Sequence, residues 1–323
     1  MSHPALDLAR RALLLGAVAA AGILAIDACS DAPTATSPDL RGAKGGTGKP
    51  GSAETVLFTG TKNGNMDIYA MNPDGSNVRR LTTDTAADVA PDFAPDNRKF
   101  VFARSSAAGL SELYTANADG SKQTKLTSMG TFVMQPRYSP DGSKIAFVAS
   151  VPIYGQEIFT VNADGSGLHR LTYATSDENS PSWSPDGQTI VFASTRLGPA
   201  SIYTMGADGL NVQLLRECIE GCLDPALNPA GTLVAFDDAG EGSIGVISLA
   251  GQGDASVGPV FAQGESRHPT WTKSGTQVLF ASSRGIEGTF EIYAGTPDNA
   301  DPSSVHRLTV FSPGDAQTPA YSK

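Results

Sequence analysis

Cysteine, aromatic side chains and positive charge are all scarce in this sequence. Its 323 residues include 3 Cys and 2 Trp, and only 7% are aromatic. Three cysteines cannot supply the disulfide framework that small secreted domains use in place of a core. Lys and Arg number 23 against 33 Asp and Glu, giving a formal net charge of -10. Phosphate binding needs a basic face, so this balance argues against a nucleic-acid partner. The same charge disfavours adhesion to an anionic membrane surface. Long apolar runs are missing too, apart from residues 12–26. Apolar residues still make up 40% of the chain, enough to bury a core. Gly (35) and Pro (21) are plentiful but lack the strict period of collagen, so they imply many turns between short elements.

Residues 1–28 read as an address rather than as structure. Arg10 and Arg11 precede a 15-residue apolar run. That is short for a membrane span and the right length for the apolar region of a signal peptide. The run ends in Ile26-Asp27-Ala28-Cys29. This resembles the bacterial lipoprotein box, although Asp27 stands where that box has a small residue. The resemblance implies that Cys29 is acylated and becomes the new N-terminus; ordinary cleavage, leaving Cys29 as a thiol, is the other reading. Ser30 after the cysteine leans toward the outer membrane under the enterobacterial sorting rule. The arginine pair also resembles a twin-arginine export signal without its flanking polar residues, so the export route stays open. Residues 29–53 are dominated by Pro, Gly, Ser and Thr and read as a flexible tether. The folded body is expected over residues 54–323, with membrane contact only through the lipid.

The body repeats. A phrase of Pro, one residue, an aromatic and then a turn recurs as Pro91-Asp92-Phe93, Pro136-Arg137-Tyr138, Pro181-Ser182-Trp183 and Pro269-Thr270-Trp271, with weaker copies at Pro225 and Pro319. The intervals are 45, 45, 44, 44 and 50 residues. Each interval holds four short strand candidates, here A to D. The phrase is A. B strands are apolar runs such as Phe100-Val101-Phe102-Ala103 and Ile190-Val191-Phe192-Ala193. C strands share a pattern seen in Glu112-Leu113-Tyr114 and Glu157-Ile158-Phe159. D strands end in Leu-Thr four times, at Leu81, Leu126, Leu171 and Leu308, and the fifth, near residues 257–262, is poor. β-branched and aromatic enrichment with regular turn signals points to strands. Pro-Asp-Gly joins A to B, and Asp-Gly joins C to D at Asp74, Asp119, Asp164 and Asp208. Four strands in about 45 residues is a propeller blade. The chain opens on B, C and D and closes on a lone A. The sequence therefore predicts an all-β, six-bladed propeller closed by pairing its last strand with its first blade.

These phrases, most completely residues 181–196 with Ile202-Tyr203 and Asp208-Gly209, resemble the TolB-like, or PD40, propeller repeat over about residues 54–323. No Trp-Asp dipeptide closes a blade, as true WD40 repeats would require. The family's namesakes carry an α/β domain ahead of the propeller. A linker stands there in this chain, so their Tol-system role is not expected to carry over. The family spans binding scaffolds and propellers fused to peptidases, so the fold alone gives little function.

Catalytic chemistry lacks a sequence signature. No Gly-x-Ser-x-Gly elbow occurs. His169 and His306 share one slot before Arg-Leu-Thr in D strands, and His268 lies elsewhere, so no His pair has metal spacing. One Asp per turn falls short of the six to eight oxygens of a calcium site. Neither a metal nor a cofactor is expected. Arg104, Arg196 and Arg284 sit at B-strand ends as hydrogen-bonding residues, and the aromatics of the A phrase read as packing between blades. Cys218 and Cys222 flank Ile219-Glu220-Gly221, and an oxidising compartment favours a local disulfide there. The expected role is a non-enzymatic, monomeric, lipid-anchored propeller of a bacterial envelope that binds a protein or a glycan. A polysaccharide lyase or hydrolase working at the channel mouth is the alternative. The turns on one face are monotonous, whereas the B–C and D–A loops vary, so the variable face is expected to carry recognition. Asp88, Glu178, Asp224, Arg267, His268 and Gln317, taken as equivalent positions just before the A-strand prolines, form its predicted rim.

Replacing Cys29 by Ala should give a soluble or an uncleaved form that lacks the acyl mass. Unchanged partitioning and mass would exclude the anchor.

Overall fold

The computed structural model describes residues 54–62, 64–106, 108–249, 265–284, 289–297, 305–311 and 314–323. The signal segment, Cys29 and the tether lie outside the described residues. Six antiparallel sheets make six blades, and all described regular structure is β. Blade 1 joins β23 (Ala316–Tyr321) to β1 (Val56–Lys62), β2 (Asn65–Met71) and β3 (Arg79–Arg80). Blade 2 runs from β4 (Asp88–Phe93) through β5 (Lys99–Ser105) and β6 (Ser111–Asn117) to β7 (Thr124–Lys125). Blade 3 begins at β8 (Val133–Tyr138), blade 4 at β12 (Glu178–Trp183), blade 5 at β16 (Cys222–Leu227) and blade 6 at β19 (Ser266–Trp271). Blade 5 has three described strands, and the weak fifth D segment near residues 257–262 falls outside the described residues.

Closure is made by the predicted exchange. Val56 pairs with Tyr321 and Leu57 with Ala320. Thr55 N donates to Ser322 Oγ at 3.0 Å, and Ser322 N returns a bond to Thr55 O at 2.9 Å. The innermost strand of every blade has one edge facing the channel. Its proline has no N–H to offer that edge, which discourages further pairing. Immediately before each proline the backbone turns left-handed, at Ala90, Gln135, Ser180, Asp224, His268 and Thr318, with φ between 47° and 53°. The A–B register shifts at this point in every blade, so each inner strand carries a bulge.

The core lies within and between blades. A B-strand phenylalanine is buried in all six: Phe58, Phe102, Phe147, Phe192, Phe236 and Phe280. In five blades it neighbours a C-strand ring, with centroids 5.6 Å apart for Phe58–Tyr69 and 6.0 Å apart for Phe280–Tyr293. Blade 5 is the exception, because Gly245 stands opposite Phe236 and the phenylalanine ring fills the space of the missing side chain. Turn aspartates do backbone work. Asp119 Oδ1 accepts Ser121 N at 2.9 Å, and Asp141 Oδ1 accepts Ser143 N at 3.0 Å.

The glycine of each Asp-Gly turn docks on the preceding blade. Gly120, at φ 85°, lies so close to the Leu81 carbonyl that a Cβ would sit 2.3 Å from its oxygen. Gly75, Gly165 and Gly209 meet Leu308, Leu126 and Leu171 in the same way. Gly120→Ala should therefore destabilise the protein by about 2 kcal/mol, combining the left-handed cost with a backbone clash. Denaturant melts of the two proteins measure the loss.

Candidate functional site

The six predicted rim residues do not occupy one structural position. Asp88 and Glu178 lie three residues before their prolines, Arg267 and Gln317 two, and Asp224 and His268 one. Asp88 and Glu178 are fully buried and face cations of their own blades, which corrects the expectation that they form an exposed rim. Asp88 takes a two-pronged contact from Arg104, with Nε 2.6 Å from Oδ1 and Nη2 2.7 Å from Oδ2. Arg104 also lies over Tyr114. Glu178 Oε2 accepts Arg196 Nη2 at 2.8 Å, and its Oε1 accepts the Ser176 and Ser194 hydroxyls. The arginines are not at one strand position either. Arg104 pairs in register with Asp88, whereas Arg196 lies two residues beyond Ser194, the residue paired with Glu178. A buried carboxylate keeps its charge only when it is paired and hydrogen-bonded, so these side chains tie the strands of their own blades together.

A second set of acids begins the C strands. Glu157 Oε1 accepts Arg170 Nη2 at 2.8 Å and its Oε2 accepts the hydroxyl of Thr172, the threonine of the Leu-Thr phrase. Glu112 with Thr127 and Glu291 with Thr309 repeat the hydroxyl contact. Glu112 lies below the usual carboxylate range. Burial pushes it up, but the Thr127 hydroxyl and the Gly130 and Met129 amides together outweigh that. The Leu-Thr signature thus marks a tie between the third and fourth strands of a blade. His169 and His306 are exposed on their short D strands.

The residues before the inner prolines meet around the channel. Gln135 Nε2 donates to Ser180 Oγ at 2.8 Å and to Asp224 Oδ1 at 3.1 Å. Ser180 Oγ donates to the same Asp224 oxygen at 2.6 Å. Asp224 Oδ2 lies 2.7 Å from His268 Nδ1. Blades 3, 4, 5 and 6 are linked by this one chain of contacts. Burial pushes Asp224 up, but the charge and hydrogen bond of His268, the Ser180 hydroxyl and Arg137 hold it down at about 2. Burial works against charge on His268, yet Asp224 raises it above its ordinary value. Of the remaining rim candidates, Arg267 contacts Glu265 and stacks on Phe290, and Gln317 is half-buried. Sequence reading named Asp224 and His268 but missed Gln135 and Ser180. Their place immediately before a phrase proline was the available signal.

Ser180 and Asp224 of this network line a funnel of about 520 Å³. Turn prolines Pro95, Pro140, Pro185 and Pro229 surround it, so it opens on the side of the monotonous A–B turns. Its aromatic walls are engaged between blades. Trp183 Nε1 donates to Arg137 O at 3.2 Å and Trp271 Nε1 to Ala226 O at 2.9 Å, while Tyr138 is 4% exposed. Arg137 and Lys273 reach the funnel, and Lys323 Nζ donates to Asp92 Oδ2 at 2.8 Å inside it. The opposite side carries fully exposed loop tips. Ile153 is 98% exposed with φ 77°, and Ile219 is 89% exposed in the loop where Cys218 and Cys222 are bonded. Residues 285–288, another variable loop, lie outside the described residues.

The family model of the TolB beta propeller domain, PD40, matches residues 45–152 and 131–323. The chain belongs to this family. A Protein TolB homolog from Chlorobium luteolum is 38% identical over 129 residues, covering 40% of this chain and 28% of that protein. The match therefore spans little more than a quarter of the relative's length. TolB from Acinetobacter baumannii superposes with a TM-score of 0.69 at 18% identity, over 83% of this chain and 66% of that one. Hydrazine synthase from Kuenenia stuttgartiensis gives 0.70 at 15% identity, over 84% of this chain and 46% of that one. At such identities the superpositions establish a shared fold. Among the described residues no helix is long and apolar enough to cross a membrane.

Asp88→Ala should cost about 3 kcal/mol, since it removes the two-pronged partner of a largely buried guanidinium and leaves it only Asp84 at 3.3 Å and the Gln123 amide oxygen at 2.7 Å. Adding Arg104→Met should recover part of the loss. Urea melts of the single and double variants test this, and equal stability of Asp88→Ala and wild type would contradict the buried pair.

Proposed function

We propose that this propeller is a non-catalytic binding scaffold of the bacterial envelope, lipid-anchored at Cys29, which takes a segment of a partner protein into its funnel. The funnel carries this reading. Small, recessed, mostly apolar cavities with a few convergent polar groups are where proteins bind specific ligands. Here proline and aromatic walls surround Arg137, Lys273, Asp92 and Asp224. Tyr138 and Trp271 are buried, which leaves little aromatic face for a sugar to stack on and favours a protein over a glycan. The polar network does not assemble a hydrolytic triad. Ser180 and His268 both contact Asp224, and the serine hydroxyl donates to the carboxylate rather than to an imidazole. Recognition is thereby assigned to the side of the repeated turns. Their uniformity is backbone chemistry, and the variety lies just inside them, on the inner strands.

The test is capture from envelope extracts by immobilised protein. Arg137→Ala combined with Lys273→Glu should lower recovery of the partner at least tenfold, and Ile153→Ser with Leu197→Ser should leave it unchanged. The reverse pattern would move recognition to the variable loops. Hydrolysis or lyase turnover by the purified protein would overturn the non-catalytic reading.

A further inference from the structure

The residue that follows each B-strand phenylalanine is Thr59, Ala103, Val148, Ala193, Asp237 or Ala281. Four of the six are apolar. Thr59 shows where this side chain points. Its hydroxyl lies 2.5 Å from that of Thr318 on its own blade's inner strand and accepts Ala90 N, at 3.1 Å, from the next blade. Thr318 and Ala90 are both residues of the channel ring. The strand register repeats in blade 5. Thr59 pairs with Gln317 and Asp237 with Leu223, each two residues before an inner proline. Asp237 thus fills the slot between Asp224 of blade 5 and His268 of blade 6, and it is 7% exposed. The other charged groups facing the cluster are Arg267 and Glu265 at the start of the blade 6 inner strand, and Arg137 on the Asp224 side.

We propose that Asp224, Asp237 and His268 form a proton-operated latch between blades 5 and 6, closed while Asp237 and His268 hold their protons and loosened as those protons leave. The inference does not depend on what occupies the funnel. With both protons in place the cluster carries one carboxylate and one imidazolium. Losing one proton leaves it a net negative charge, and losing the second leaves two carboxylates with no imidazolium between them. Uncompensated charge at a site with little water is costly, so the blade junction weakens.

The direction of each group agrees. Burial, then the Asp224 charge, lifts Asp237 to about 7. Its contribution is present below its unfolded value of about 4 and is lost as pH rises through about 7. His268 is also raised, so its contribution is full below about 6.5 and is lost above its raised value. Asp224 acts at the other end, where its contribution disappears only as pH falls from about 4 toward 2. The latch is firmest near pH 4 and loosens progressively as pH rises from there through about 7 and beyond. Because the groups interact, the protons leave in steps that belong to the cluster. Asp224 also floors the funnel, so an occupant there would meet a different charge in each state.

Thermal unfolding of the full chain between pH 5.5 and 8.0 provides the test. The wild type should lose about 5 °C over this range, and Asp237→Asn, which cannot titrate, should lose less than half as much. Parallel profiles would overturn the latch. A histidine NMR titration of the wild type is independent of how the variant folds. The His268 imidazole should titrate above the ordinary histidine value of about 6.5 and report a second inflection from Asp237. A single transition at the ordinary histidine value would likewise overturn it.

Discussion

The pairing of β23 with β1 is the constraint on which the rest of the propeller depends. Without it, blade 1 has no inner strand, and two sheet edges stand open. The apolar clusters show how far the effect reaches. Each joins neighbouring blades: Val56, Phe58 and Tyr69 of blade 1 pack with Leu279, Ile292 and Ala294 of blade 6, and five more clusters continue around the ring. Stability is then a cyclic sum of nearest-neighbour interfaces, and closing the last one lets every blade bury both faces. The left-handed residue before each inner proline belongs to the same design, because a bulged, proline-bearing inner strand cannot recruit another strand into the channel.

Departures from the repeat gather in blade 5. Gly245 replaces the C-strand ring, Asp237 replaces a small or apolar residue, Asn228 caps the A–B turn that Asp96, Asp141 and Asp186 cap in blades 2 to 4, and the Cys218–Cys222 bond closes the loop that leads into its first strand. A repeat array tolerates such substitutions when its neighbours keep their interfaces. Blade 6 does so through Trp271, whose indole N–H holds the Ala226 carbonyl, and through His268 against Asp224.

Much of this architecture was legible in the sequence because its signals are local and recur. The proline interval, the B-strand phenylalanine and the Asp-Gly turn each report one blade, and their order predicts the closure. The rim was misread for the opposite reason. A bulge shifts register within a strand, so residues one, two and three places before a proline face different surroundings, and counting toward the proline does not separate them. The buried pairs Asp88–Arg104 and Glu178–Arg196 had a readable trace, since an acid at the start of the inner strand accompanies an arginine near the end of the B strand in the same blade. Blade 6 has Ser266 in place of the acid, and there Arg284 still lies over Tyr293, as Arg104 and Arg196 lie over Tyr114 and Tyr203. The network across the channel left only a positional trace, the place before each phrase proline, because its four members come from four different blades and only the ring brings them together.

The closing strand pair also governs how the molecule carries force. β1 is hydrogen-bonded on both sides, to β23 and to β2. Tension applied at residue 54 runs along the β1 axis and loads both ladders in shear. Bonds that share a load in parallel resist far more than bonds peeled one at a time. A pull at this point therefore meets a strand held on both sides, and it passes to the other blades through their packing and through contacts such as that of Ala90 N with the Thr59 hydroxyl.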